Sequence, residues 1–166
     1  MADSKNAKGA GGGPVTNVNA QLQQVLDGIQ QAINEATNNL RKEIRILRAI
    51  WQADEAKQKN DSYRSAATIS LNIPNVPIPK SCDGLAAPPP AQIPANCPEP
   101  NIGASLPISH ASLVPNWALP SLPYSNITAH KVRLIQYWYN EDFQLPANAT
   151  NAQAVQCLDN WMRGII

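Results

Sequence analysis

The sequence predicts a mainly α protein with three parts: a long N-terminal helix forming an oligomeric coiled coil or helical bundle, an irregular proline-rich middle, and a small C-terminal helical hairpin. Three observations carry that expectation. Apolar residues between Val18 and Trp51 recur with an eleven-residue period. All but Pro14 and Pro146 of the 15 prolines lie between residues 74 and 123. Helical periodicity, bracketed by capping residues, returns after Pro123.

Residues 15–62 read as one helix. Val18, Ile29, Leu40 and Trp51 form one row, Leu22, Ile33 and Ile44 a second, and Val25, Ala36 and Leu47 a third. Eleven residues per three turns is about 3.67 per turn, which gives straight or slightly right-handed bundles rather than the left-handed supercoil of heptads. The segment holds no proline, and its only glycine, Gly28, costs about 1 kcal/mol relative to alanine. A long polar helix with one apolar stripe persists only when the stripe is covered, so the ten row residues are the candidate oligomer seam. Leu26, Ile46 and Ile50 lie beside it and widen the apolar face. A wider face favours three helices over two, or a later segment folded back onto the bundle; a trimer is the favoured state.

Charge along this helix is uneven. The first half carries little beyond Asp27 and Glu35, whereas the second holds Arg41, Lys42, Glu43, Arg45, Arg48, Asp54, Glu55, Lys57 and Lys59. Mixed signs suit ion pairs within and between helices, and they read as a solvated face rather than a phosphate-binding patch. The net charge of +1 exerts no general pull on nucleic acid or anionic membrane. Residues 1–14 read as a flexible, glycine-rich arm ending at Pro14, a residue suited to a first helical turn. No signal peptide or membrane-spanning stretch is visible, so an intracellular location (cytoplasmic or nuclear) and no membrane partner are expected.

Residues 63–123 form the proline-rich segment. Proline excludes helix and central strands through most of it, leaving one brief strand at 67–73, where Ile69, Leu71 and Ile73 alternate. Ile78, Leu85, Ile93, Ile102, Leu106, Ile108, Leu113, Val114, Trp117, Leu119 and Leu122 are too many apolar residues for a solvated spacer. Extended segments docked along helical grooves account for both features, since proline lowers the entropy lost on docking. Cys82, Cys97 and Cys157 read as free thiols of a reducing compartment.

Residues 124–166 read as the hairpin. Ser125 or Thr128 caps a first helix carrying Val132, Ile135, Trp138 and Tyr139; Phe143, Leu145 and Pro146 end it. Thr150 or Asn151 caps a second helix with Ala154, Val155, Leu158, Trp161 and Met162, stopping at Gly164. Val132, Ile135, Trp138, Tyr139, Leu158 and Trp161 are its expected interface anchors. Two helices this short need other surfaces to pack on.

The order Thr128, Lys131, Val132, then Leu145-Pro146, Ala149-Thr150, Val155 and Leu158 resembles the SAP motif, a small helix–turn–helix of chromatin-associated proteins. The resemblance covers about a quarter of the chain and implies DNA binding, with Lys131 and Arg133 as candidate phosphate contacts. Here Lys131, Arg133 and Arg163 are balanced by Glu141, Asp142 and Asp159, and the first helix is rich in aromatics. The overall layout also resembles that of a group of uncharacterised fungal coiled-coil proteins, which implies no activity.

No residues stand in the spacing of a catalytic site. His110 and His130 have no acidic or nucleophilic sequence neighbour, and with Cys82 and Cys97 they lack zinc-binding spacing. No phosphate-binding glycine loop follows a strand. The expected function is therefore structural and non-enzymatic: a self-assembling homo-oligomer, building a filament, shell or scaffold, with no cofactor, metal or small-molecule substrate. The alternative is a nucleic-acid-binding module, dimerised by the coil and making contact through the SAP-like hairpin.

Overall fold

Helix α1 runs from Val15 to Ala66. It ends four residues beyond the expected boundary because its last turns are tied down at long range. Arg64 pairs with Asp159 at 2.6 Å, and Arg163 with Asp61 at 2.7 Å. The computed structural model describes residues 15–66, 75–111, 113–122, 124 and 126–166. The expected arm at 1–14, the expected strand at 67–73 and the alternative cap Ser125 lie outside them.

The chain divides into two units, Met1–Lys42 and Glu43–Ile166. In the first, the described residues all belong to α1. Its polar face is laced by contacts one turn apart, Gln23 donating to Asp27 and Gln31 to Glu35, both at 2.8 Å.

The second unit holds the core. Beyond α1, the described residues from 75 to 122 are largely irregular, apart from a minimal parallel pair. Strand β1 (Ile108–Ser109) pairs with β2 (Leu119–Pro120) in the register Ile108↔Leu119 and Ser109↔Pro120. Helices α2 (Ala129–Tyr139) and α3 (Asn151–Met162) complete the unit and pack against each other. The proline-rich segment lies on the chain's own helices: Ile78, Leu106 and Leu119 are completely buried in one cluster with Ala53 and Ala56 of α1 and the apolar faces of α2 and α3. All three cysteines are free thiols.

Local chemistry fixes the two short helices. Thr128 caps α2, its hydroxyl accepting from Lys131 N at 3.1 Å. The left-handed Asn140 ends it, at φ 56°. Thr150 and Gln153 form a capping box at the start of α3, Thr150 N donating to Gln153 Oε1 at 2.9 Å and Gln153 N to Thr150 Oγ1 at 3.3 Å. Gly164 follows α3 at φ 68°, where a β-carbon would come within 3.3 Å of Lys57 Cβ; glycine removes both the backbone strain and the crowding.

Candidate assembly surface and the core behind it

A helix that packs on one side can present its other side to a partner, and α1 does this within the second unit. Ala49, Ala53, Ala56 and Asn60 repeat at steps of four, three and four, and all are buried. Alanine lets the helix approach the core closely. Asn60, only 1% exposed, exchanges hydrogen bonds with Val76 (2.6 Å from its N–H and 3.2 Å to its O) and also donates to Met162 O at 3.1 Å. In the eleven-residue frame this row lies about 180° from the seam. Ile44, Leu47 and Trp51 accordingly remain exposed, at 47%, 65% and 66%. Ile46, nearer the packed side, is half-buried, and Ile50 is exposed.

In the first unit, Val18, Leu22, Val25, Leu26, Ile29, Ile33 and Leu40 are each more than half exposed, and Ala36 is exposed too. All ten seam residues therefore stand uncovered by the chain's described residues. Burying side chains of this size is worth about 1.5–3 kcal/mol each, so the surface carries a large unspent driving force for association.

The expected anchors of the hairpin have a different place. Val132, Ile135, Trp138, Tyr139, Leu158 and Trp161 are all buried within the second unit, so the interface they form is with each other, with the chain's own α1 and with the proline-rich segment. Their rings form a connected aromatic core. Trp161 stacks on Phe143 at 4.3 Å and tilts against Tyr139 at 4.6 Å, and Tyr139 meets Trp138 edge-on at 4.8 Å.

Charged groups facing the core are paired internally. Glu141 accepts from Ser81 Oγ at 2.6 Å, Trp161 Nε1 at 2.7 Å and Lys57 Nζ at 3.2 Å, joining α1, the proline-rich segment and α3 through one carboxylate. Burial alone would raise its pKa, but the bonds from Ser81, Trp161 and Lys57 together outweigh it and hold it below the usual value. Lys80 is fully buried, donating to Trp138 O at 2.5 Å with its ammonium 5.5 Å from the Trp138 ring; burial lowers its pKa to about 8.

The two candidate phosphate contacts are engaged in the same way. Lys131 is buried, donates to Pro115 O, and has its pKa lowered to about 8 by burial. Arg133 Nη2 donates to Pro146 O at 3.0 Å and Ala147 O at 2.5 Å. It also lines a cavity of about 310 Å³ with Pro88, Pro90, Gln136, Tyr137 and Leu145. Among the described residues, no cluster of three or more His, Cys, Asp or Glu is placed to hold a metal ion, and no helix is long and apolar enough to cross a membrane. Comparison of the chain with protein-family models, with curated proteins and with solved structures found no match.

Sequence reasoning missed Asn60, Lys80 and Glu141. Asn60 offered one signal: a polar residue continuing an alanine row that lies opposite the apolar one.

Proposed function

We propose that this is a structural protein that assembles with copies of itself through the apolar ridge of α1, most favourably as a trimer, carrying its C-terminal modules on the outside. One observation carries the reading: within the second unit, α1 packs on its core through the alanine row while the opposite, larger apolar row stays bare. The module thus leaves the ridge free for a partner. A repeat with one helical period is best matched by an identical repeat, which presents the same row spacing. The breadth added by Leu26 and Ile50 suits three strands better than two.

The nucleic-acid reading has less support, because Lys131 is buried on the carbonyl of Pro115 and Arg133 turns its Nη2 to the carbonyls of Pro146 and Ala147. The SAP-like order of residues is accordingly better explained as packing of a helical pair. Light scattering coupled to gel filtration, run over a hundredfold concentration range, tests the assembly. An oligomeric mass that falls on dilution is expected; a monomer at every concentration excludes it.

A further inference from the structure

The ridge has two flanks, and they carry opposite charges in the second unit. In the eleven-residue frame, Glu43 and Asp54 lie about 65° to one side of the ridge, and Arg48 and Lys59 about 65° to the other. All four are exposed and belong to the second unit. Each base follows its acid by five residues, and the arrangement recurs after one repeat. Five residues is a rise of about 7.5 Å, within reach of long side chains on facing flanks of neighbouring parallel, in-register helices, as between the flanking positions of heptad coils.

From this we infer that the occupant of the ridge is a second copy of this chain in parallel, in-register orientation, with Glu43 beside the neighbour's Arg48 and Asp54 beside the neighbour's Lys59. The inference rests on the assembly reading above and adds its direction. An antiparallel neighbour brings like flanks together. Overlap of the same repeats would then set acid against acid and base against base. Overlap of the full seam would set these charges against the amide-rich first half, where nothing complements them.

The monomer leaves the matching groups available. Three charge pairs on the packed side are made within the chain: Lys57 with Glu141, Arg64 with Asp159, and Arg163 with Asp61. Lys59 pairs with Glu55, an exposed pair one turn away that exchanges readily for another partner. Glu43, Arg48 and Asp54 make no ion pair or hydrogen bond among the described residues.

Site-directed cross-linking of the full chain, with Cys82, Cys97 and Cys157 replaced by serine, tests the direction. Leu22→Cys and Leu47→Cys lie about 37 Å apart along a helix. In a parallel assembly each variant cross-links to itself, and a mixture yields no Leu22–Leu47 product. Heterologous linkage in the mixture, without self-linkage, overturns the parallel arrangement while leaving assembly standing. A monomer of unlinked chains removes assembly itself.

A charge exchange gives a second, cysteine-independent readout. Glu43→Arg with Asp54→Lys is expected to raise the dissociation concentration about tenfold. Adding Arg48→Glu and Lys59→Glu to the same chain restores it, since parallel neighbours again meet opposite charges. Failure of the four-fold variant to recover, with the oligomer otherwise intact, overturns the proposal.

Discussion

Trp51 and Ala53 stand two residues apart on α1 and face opposite ways: Ala53 is 2% exposed against the core, whereas Trp51 is 66% exposed. A two-residue step turns the helix by about 200°, so the side that packs internally and the side left open are separated by geometry alone. The predictions below exploit this separation.

Replacing Ile33 and Leu40 with Asp puts two carboxylates on the ridge in the first unit without touching the core of the second. The expected product is a monomer with far less helix by far-ultraviolet circular dichroism. The near-ultraviolet signal of the buried Trp138 and Trp161 is retained. An oligomeric, fully helical variant would rule out the seam.

Trp161→Ala attacks the core instead. Trp161 stacks on Phe143, meets Tyr139 and donates to Glu141, so its removal leaves a cavity and an under-bonded carboxylate. A loss of about 3–5 kcal/mol is expected, measured by urea unfolding followed through the near-ultraviolet signal.

Glu141→Gln weakens three hydrogen bonds and leaves Lys57 without its counter-charge, an expected cost of about 1–3 kcal/mol in the same measurement. The folded pKa of Glu141 lies below the ordinary 4.5. Its contribution is therefore present above that pH and lost as pH falls through the folded value. The wild type should lose urea resistance more steeply than the variant on acidification through this range.

Two lysines extend the same sign of pH dependence to the alkaline side. Lys80 and Lys131 release protons near pH 8 when folded, against an ordinary value of 10.5. Between those values the unfolded chain holds more protons, so stability rises with pH. Burial also keeps Tyr124 and Tyr139 protonated above their ordinary 10.0, so the trend reverses as unfolded tyrosines ionise. Unfolding midpoints should thus climb from pH 8 toward 10 and then fall, with a shallower climb in Lys80→Met.

Local signals made the helices readable. The eleven-residue period marked α1 and its ridge, and Thr128, Thr150 and Gly164 marked the boundaries of the hairpin through capping chemistry that needs only neighbours. The second face of α1 left almost no trace, because alanine suits any helical position and carries no directional signal. Docking of Ile78, Leu106 and Leu119 depends on partners far along the chain. The interior place of Lys80 is illegible for a further reason: composition assigns lysine to the surface, and only the carbonyl of Trp138 beneath it reverses that assignment.

Between Glu43 and Ala56 the helix has almost no idle circumference. Bulk is forbidden where the alanines sit, and in the assembly proposed above polarity is unwelcome along the exposed row of Ile44, Leu47 and Trp51. This short stretch should therefore be the least substitutable in the molecule, even though it holds no reactive group.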